Sequence, residues 1–528
     1  MSNLSLGRRI FRDTANVSLI NTAGQLVAYL MTAYVAATFG ADWQTDALGL
    51  ALTIPMFTAN VVREAVRSVL APTLVDLRVR GSPRLVHVAR QGLLVVTVSA
   101  VGLALLLALA TPTLSTWLGY RLSDAGQSLL HELSLELLPM LPLLCLSGAL
   151  ASILVAQHRF GLTATLPGVD AVVKIVVIAA WARVIGIHSQ AWGNVLGALA
   201  GVVVLGVAVY RLGYLSAPAP APTKVEAAHG PSIGREMLYP LLGLSLLQLN
   251  PYVDRFMASP LQPGSVTALG YAEKVAAIPY ILFGAGFYGV ILTHWSEVVA
   301  SEGPGGLRRA LRNATAMVVF LLAPVVTLLV ALRSDLVALL FQRGAFNAQA
   351  TALTSAALAF LAVAILPNYL SLLVSRAFLA LQDRRAPMWL GIGNAVGNVT
   401  LNWLLVGPFG LAGITLSTAL TLTLVTLAGW LWLRRRLGAL DLVSLAWPSV
   451  QVALASLACG LVALLIRSLV PGQGFVALVL RLALGGGAGM LVYLALTWLL
   501  RVEEAAKAEF LVRSALQARL GRWQKRVV

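Results

Sequence analysis

Long apolar runs, separated by short polar or charged segments, extend along nearly the whole of this 528-residue sequence. A helix that crosses the hydrocarbon core of a bilayer needs roughly 20 apolar residues, whereas membrane β-strands are short and alternate in polarity. The runs are long and continuous, so the pattern predicts an all-α polytopic membrane protein with about 14 transmembrane helices. The predicted spans are 16–38, 46–73, 91–116, 134–156, 162–182, 190–214, 236–258, 265–294, 313–332, 349–375, 387–407, 410–433, 443–466 and 476–500.

The composition excludes an ordinary soluble protein. Apolar residues make up 59% of the chain and charged residues 11%, whereas a soluble domain carries about 25% charged residues. The two cysteines lie in apolar runs, which indicates neither a disulfide framework nor a metal site. No phosphate-binding Walker loop and no nucleophile–base constellation occurs. The sequence therefore predicts no ATP hydrolysis, no catalytic residues and no cofactor.

The distribution of basic residues predicts the orientation in the membrane. With the N-terminus in the cytoplasm, 27 of the 38 Lys and Arg fall on the cytoplasmic side, counting Arg211 at the cytoplasmic end of its span, and five on the outer side. Cytoplasmic loops of membrane proteins carry such an excess of Lys and Arg. We therefore expect a multi-pass membrane protein with both termini in the cytoplasm. The net charge of +17 follows from this topology, so no nucleic-acid partner is expected.

A single long Pro/Ala-rich polar segment divides the chain. Six spans precede it, so both halves begin on the same side of the membrane, as in the parallel repeats of some transporters. The stretches "DALGLALTIP" (46–55) and "TALGYAEKVAAIP" (267–279) are similar, which is consistent with a repeat or with chance similarity between Ala/Leu-rich helices. The predicted domains are an N-lobe (1–215), a cytoplasmic linker (216–235), a C-lobe (236–434), two further helices (435–500) and a basic amphipathic cytoplasmic tail (501–528).

Ionisable residues inside the spans cluster on a few helices. Such residues are costly in hydrocarbon and usually face a bundle interior or a wet cavity. Arginine binds phosphate through two parallel hydrogen bonds and lysine acts as a point charge, so the positive members suit an anionic, phosphate-bearing amphiphile. Asp170 and Lys174, four residues apart on one face, are expected to neutralise each other. The other members are Arg63, Glu64, Arg67, Asp254, Arg255, Glu273 and Lys274.

Span 11 carries a polar face. Asn394, Asn398 and Asn402 follow one another at four-residue intervals, and the next span offers Thr415, Ser417 and Thr418. These oxygens suit a small hard cation if a carboxylate such as Asp254 joins them. Hydrogen bonding between the two helices is an equally good interpretation.

Prolines recur inside the predicted spans. Proline removes a backbone donor and kinks or breaks a helix, and such positions can serve as hinges in alternating access. The intramembrane prolines are Pro55, Pro139, Pro142, Pro167, Pro279, Pro324 and Pro367.

Five stretches resemble the MurJ/MviN family, the lipid II flippases of the multidrug/oligosaccharidyl-lipid/polysaccharide (MOP) exporter superfamily. They are "FGADWQTDALGLALTIP" followed by "VLAPTL", "VDRFMASPLQPGSVTALGYAEKVAAIP", "FQRGAFNAQAT", "RAFLALQDRRAPMW" and "NVTLNWLLVGPFGLAGITLSTALT". The resemblance covers most of the chain. It implies two six-helix lobes in a MOP/MATE-like V around a cationic cavity, plus two C-terminal helices.

The resemblance also implies roles for particular residues. Lys274, following Glu273, matches an Asp-Arg pair of the family's cavity, and Glu64 matches an acidic residue of helix 2. With Arg63, Arg67 and Arg255, these residues form the expected pyrophosphate-binding set. The expected sodium site comprises Asp254, Asn398, Asn402, Ile414 and Thr418.

Helix 1 departs from the family pattern. Gln25 and Met31 stand near the places where the family has arginines, so the substrate is expected to be held differently from lipid II in other members. The predicted function is ion-coupled alternating access, with Na⁺ or H⁺, that flips an undecaprenyl-pyrophosphate-linked glycan (lipid II or an exopolysaccharide or O-antigen precursor) across the bacterial inner membrane. Expected partners are that substrate, membrane lipids and glycan synthesis enzymes. The alternatives are a MATE-like cation/drug antiporter and a non-transporting scaffold of a glycan synthesis complex.

Overall fold

Every regular element in the described residues is a helix. The computed structural model describes residues 3–215, 249–383, 385–438, 442–472 and 474–507. The predicted linker (216–235), most of span 7 and the tail beyond residue 507 lie outside the described residues.

Helices α1 to α9 precede the first gap in the described residues, and α10 to α18 follow it. The first group is α1 (Asn3–Phe39), α2 (Trp43–Ala51), α3 (Thr53–Val79), α4 (Leu85–Leu118), α5 (Asp124–Leu137), α6 (Met140–Ala156), α7 (Phe160–Ala164), α8 (Leu166–Ile185) and α9 (His188–Arg211). The second group is α10 (Asn250–Ala258), α11 (Ser265–Ala276), α12 (Ile278–Ala331), α13 (Arg333–Phe341), α14 (Ala348–Ala380), α15 (Arg385–Leu437), α16 (Leu442–Leu469), α17 (Phe475–Leu480), a π-helical segment (Arg481–Gly485) and α18 (Gly486–Leu499).

The helices group into two compact units. The first comprises 1–270 and 341–350, and the second comprises 271–340 and 351–528. Residues 249–270, which follow the linker in sequence, thus belong to the first unit. The domain boundaries expected from the sequence stay a prediction.

Four one- or two-residue breaks divide predicted spans into two helices, and a proline stands at each. Leu52 separates α2 from α3, Thr165 separates α7 from α8, and Ala277 separates α11 from α12. Pro55, Pro167 and Pro279 then fall in the first helical turn, where the missing N–H costs no intrahelical hydrogen bond. Pro139 stands in the same way between α5 and α6, whereas Pro324 and Pro367 lie inside continuous helices.

The first unit is organised around a core formed by α3, α4, α6 and α9. Leu70, Leu74, Ile153 and Leu205 are fully buried there, and α1 packs against α8. At that contact a Cβ on Gly24 would lie 3.2 Å from the backbone nitrogen of Gly168. The two glycines therefore allow the helix backbones to approach closely, as small residues do in membrane interfaces.

The second unit contains two hydrophobic clusters. One joins α12, α14 and α15 through side chains such as Trp295, Tyr369 and Trp430. The other joins α12, α16 and α18, where the Tyr493 hydroxyl donates to the backbone oxygen of Phe320 at 2.6 Å. The two C-terminal helices, α16 and α18, are therefore packed against α12.

Ten helices of the described residues are long and apolar enough to cross a membrane. One of them, α15, contains both the eleventh and the twelfth predicted spans. The fifth and eighth predicted spans, matched by α7–α8 and by α11 with the start of α12, are not among the ten. The predicted class of an all-helical multi-pass membrane protein is confirmed, and the count of fourteen stays a prediction.

Candidate functional site

A cavity of about 440 Å³ lies between α3, α6 and α8 in the first unit. Its polar lining comes mainly from α3, and its small residues come from α6. The lining residues are Asn60, Arg63, Glu64, Arg67, Ser147, Gly148, Ala151, Ser152, Val155 and Leu166. The cavity thus brings together three members of the predicted pyrophosphate-binding set.

The polar lining follows from helical geometry. Asn60, Arg63, Glu64 and Arg67 stand at positions i, i+3, i+4 and i+7, which share one face of a helix. Opposite them, a Cβ on Gly148 would lie only 2.8 Å from the Cγ of Arg63. A glycine at that position of α6 therefore makes room for the arginine stem.

The charges in this cavity do not cancel. Glu64 accepts hydrogen bonds from Nε and a terminal nitrogen of Arg67 at 3.0 and 2.5 Å. Arg63 donates instead to Oδ1 of Asn60 at 2.7 Å, and no carboxylate in the described part of the chain pairs with it. The one acid that lines the cavity, Glu64, is thus committed to Arg67, and Arg63 is the cavity cation that remains unneutralised.

Hydrogen bonds extend this site to α10. The amide nitrogen of Asn60 donates to the hydroxyl of Tyr252 at 2.9 Å, and the guanidinium of Arg255 lies 5.7 Å from the centre of that tyrosine ring. Asn60 therefore connects Arg63 with the helix that carries Arg255. Asn60 and Tyr252 were not among the predicted site residues, although Asn60 shares the polar face of α3 and the sequence alone could have indicated it.

The remaining members of the predicted binding set lie in the second unit. Glu273 and Lys274 are on α11, where Glu273 is partly buried and Lys274 is exposed. Neither residue lines the cavity of the first unit, and their role in substrate binding stays a prediction.

Part of the predicted ion site forms a buried hydrogen-bonded network in α15. Asn402 donates to Asn398 and Asn398 donates to Thr418, both at 3.3 Å. Ser417 donates to Asn402, and the Ile414 carbonyl accepts from Thr418 at 3.2 Å.

These hydrogen bonds join the two segments of α15 on either side of Gly410. They correspond to the second interpretation of these polar residues, hydrogen bonding between helices. Asp254, the only carboxylate of the predicted ion set, is buried in the first unit. In the described ranges, no group of three or more His, Cys, Asp or Glu residues is arranged to hold a metal ion.

A second charged pair inside the first unit is closed on itself. The Nζ of Lys174 lies 2.7 Å from Oδ2 of Asp170, so the predicted neutralisation is confirmed. On the facing helix α9, a Cβ on Gly197 would lie 2.4 Å from Oδ1 of Asp170. The pair is therefore packed tightly against a glycine of α9.

Asp46 makes a long-range contact that was not predicted from the sequence. Its buried carboxylate accepts from the backbone nitrogens of Gly264 and Thr267 at 2.7 and 2.8 Å, and from the Thr267 hydroxyl at 2.8 Å. It therefore satisfies free donors at the N-terminus of α11. A Cβ on Gly264, whose φ is +89°, would lie 2.5 Å from the backbone oxygen of Ala41.

The fold and the cationic cavity together define a multi-pass membrane transporter. The family model for the lipid II flippase MurJ matches residues 35–485. The chain therefore belongs to the MurJ family, a family of inner-membrane flippases for lipid-linked substrates.

Curated relatives agree with this assignment. The chain is 26% identical over 278 residues to the probable lipid II flippase MurJ of Bdellovibrio bacteriovorus, a match that spans 52% of each chain. It is 26% identical over 441 residues to the probable lipid II flippase MurJ of Vibrio cholerae, covering 80% of this chain and 82% of that protein.

Solved structures show the same fold. A lipid II flippase MurJ in an inward closed conformation matches with a TM-score of 0.74 and 19% identity, over 92% of this chain and 98% of that one. A multidrug resistance MATE family transporter of the MOP superfamily matches with a TM-score of 0.66 and 15% identity, over 80% and 99%. This chain therefore shares its fold with a MurJ flippase and with a transporter of the MOP superfamily.

Proposed function

We propose that this protein flips an undecaprenyl-pyrophosphate-linked glycan across the bacterial inner membrane by alternating access, and that its cationic cavity binds the pyrophosphate. One observation carries the proposal. Arg63 lies in the interior of a membrane-spanning helix, lines a cavity of about 440 Å³, and bonds to an amide instead of a carboxylate. An unneutralised guanidinium at such a depth costs about 2.5–3.5 kcal/mol, and a bound phosphate offsets that cost.

The chemistry of the lining fits a pyrophosphate. Arg63 donates with one terminal nitrogen to Asn60, so further donors of its planar guanidinium are available for phosphate oxygens. Arg67 is held by Glu64 and is 71% exposed, so it can exchange this weak surface pair for a phosphate contact. Arg255 and Lys274 are proposed to add positive charge to the binding set. Glu273 is proposed to offset part of this charge, as Glu64 does by pairing with Arg67.

The lack of charge in the apolar part of helix 1 bears on which glycan is carried. Gln25 and Met31 supply no guanidinium where the family has arginines, so α3 is proposed to supply the main phosphate contacts. Lipid II and an exopolysaccharide or O-antigen precursor share the polyprenyl pyrophosphate and differ in their sugars. Complementation of a strain depleted of its lipid II flippase distinguishes these substrates, because only lipid II transport restores growth.

Substrate movement is proposed to be coupled to Na⁺ or H⁺. Oxygen atoms of buried Asn398, Asn402 and Ile414 and of partly buried Thr418 come together in α15, and oxygen ligands suit Na⁺ as a hard cation. Asp254 is the proposed acidic member of this set. The cycle makes and breaks no covalent bond, so no catalytic residue is assigned. Glycan synthesis enzymes are the proposed protein partners on the cytoplasmic side.

Transport by purified protein tests the role of Arg63. Proteoliposomes containing fluorescently labelled lipid II report flipping through loss of protection from a membrane-impermeant quencher. Arg63→Gln removes a charged hydrogen bond to phosphate, and we expect the initial rate to fall about tenfold or more. Arg80→Gln is the matched control, because Arg80 is 72% exposed at the end of the same helix and pairs with Asp76; its rate should equal that of the unmodified protein.

Four outcomes separate the proposal from its alternatives. Equal flipping by the unmodified protein and Arg63→Gln would refute a phosphate-binding role for Arg63. Failure of the unmodified protein with lipid II, together with flipping of a different polyprenyl-pyrophosphate glycan, would identify another polysaccharide pathway. Cation-driven dye efflux without any lipid flipping would favour the antiporter, and inactivity in both assays would favour the scaffold.

A further inference from the structure

A buried carboxylate and two arginines form a cluster at the C-terminal end of α16. Asp335, on α13, is almost fully buried. Its Oδ2 lies 2.7 Å from Nε of Arg467, and its Oδ1 lies 3.0 Å from a terminal nitrogen of Arg481. The cluster carries one negative and two positive charges and therefore has a net charge of +1.

Arg481 holds this cluster together. Besides Asp335, it donates to the backbone oxygens of Val470 and Gly472 at 2.9 and 2.7 Å. It begins the π-helical segment, and the bend that receives it depends on Gly472, whose φ is +104°. Its side chain is only 15% exposed. Arg481 is thus satisfied by the protein and positions Asp335.

Arg467 is placed differently. Its side chain is 38% exposed, and Asp335 is its one partner in the part of the chain that the structure describes. That contact uses Nε, so the two terminal amino groups of the guanidinium remain available as donors. Arg467 is fixed on α16, and Asp335 is fixed on α13 by its contact with Arg481. The free donors of Arg467 are therefore preorganised.

The surface around Arg467 is strongly apolar. Leu465, Leu469, Phe475 and Val476 are 59%, 70%, 65% and 70% exposed, respectively. In a membrane-spanning protein such side chains face lipid acyl chains. A cation at the end of a lipid-facing helix stands at the level of the headgroups, where arginine binds phosphate.

We propose that Arg467, oriented by Asp335 and Arg481, binds the phosphodiester of an anionic glycerophospholipid such as phosphatidylglycerol. Charge decides the choice of occupant. The net +1 of the cluster is neutralised by a lipid with one negative charge, whereas a zwitterionic lipid brings an ammonium group that the cluster repels. A polyprenyl pyrophosphate carries more than one negative charge. The cluster cannot balance it, because Asp335 reduces the net charge of the two arginines to +1. The cluster shares no residue with the cavity near Arg63, and the proposal does not depend on the proposed transport activity.

Lipid retention measured by native mass spectrometry tests this site. The full-length protein is purified in a mild detergent and mixed with phosphatidylglycerol or with phosphatidylcholine. We expect the unmodified protein to retain phosphatidylglycerol preferentially, and Arg467→Gln to retain it roughly tenfold less, as loss of a charged hydrogen bond predicts. Arg467→Lys keeps the charge without the fork of donors and should give an intermediate value.

Arg333→Gln is the matched control. Arg333 begins α13, stands about 200° around the helix from Asp335, and donates to the backbone oxygen of Val330 at 2.7 Å. Its replacement should leave phosphatidylglycerol retention unchanged.

Equal retention by Arg467→Gln and the unmodified protein, provided both are monodisperse, would overturn the proposal. Equal losses in Arg333→Gln and Arg467→Gln would also overturn it, since they would indicate a general effect of surface charge. Equal retention of the two lipids, or displacement of phosphatidylglycerol by an equimolar polyprenyl pyrophosphate, would exclude the proposed occupant.

Discussion

At the scale of single residues, the first unit contains closed charge pairs and a cavity arginine that pairs with no acid in the described residues. Lys174 is bound to Asp170 and Arg67 to Glu64, so each pair lowers the cost of placing its charges in a membrane. Among the described residues, Arg63 instead bonds to the amide of Asn60. Helical spacing places Glu64 near both arginines of the cavity, and the structure assigns it to Arg67.

Asn402 offers a test of the proposed ion site. It is fully buried and hydrogen-bonded to Asn398 and Ser417. Asn402→Asp places a carboxylate where a buried charge is costly unless a cation joins it, so we expect a lower melting temperature in choline chloride. Na⁺ should restore at least part of the loss, because a ligand that binds only the native state stabilises it.

Thermal unfolding of the purified protein in NaCl and in choline chloride measures this effect. Asn394→Asp is the matched control on the same helix, since Asn394 is only partly buried and its carboxylate can remain hydrated. A melting temperature of Asn402→Asp that does not respond to Na⁺ would contradict the proposed ion site.

At the scale of elements, two helical hairpins share the same corner. Gly186 joins α8 to α9 with φ 56° and ψ −132°, and Gly410 bends α15 with φ 56° and ψ −133°. Contacts across each corner pair Lys174 with Gly193 in one case and Asn398 with Thr418 in the other. Matching corners are what a parallel repeat of the two halves predicts.

Gly410 allows a direct test of this corner. Its backbone conformation is essentially restricted to glycine, and forcing another residue into it costs about 1–3 kcal/mol. We expect Gly410→Ala to lower the melting temperature of the protein. Gly407→Ala is the control, because a Cβ there meets no atom within 4 Å and φ is not positive. Similar melting temperatures for both variants would show that the corner does not need glycine.

The sequence predicted elements better than the contacts between them. Apolar periodicity and prolines indicated the spans and their breaks, because both signals are local. The bonds from Asp46 to Gly264 and from Asp335 to Arg481 join residues far apart in the chain. Such pairings depend on which helix ends meet in the folded protein. The polar face of α3 lay between these extremes, since helical spacing brings Asn60 beside Arg63 without any tertiary contact.

At the scale of the whole molecule, the orientation in the membrane is the prediction that most affects the proposed direction of transport. The basic residues are biased 27 to five toward the predicted cytoplasmic side, and such a bias sets the topology of bacterial membrane proteins. Both native cysteines, Cys145 and Cys459, are buried. They should react slowly with a membrane-impermeant maleimide, so introduced cysteines can be labelled against a low background.

We expect Arg121→Cys, in the predicted outer turn after α4, to be labelled in intact spheroplasts. Arg80→Cys, in the predicted cytoplasmic loop after α3, should be labelled only after permeabilisation. Both side chains are exposed, so a difference between them reports the side of the membrane and not burial. The unmodified protein gives the background from the two native thiols. Labelling of Arg80→Cys but not Arg121→Cys in intact spheroplasts would show the opposite orientation in the membrane. The predicted cytoplasmic location of the linker, of both termini and of the proposed enzyme partners would then be wrong.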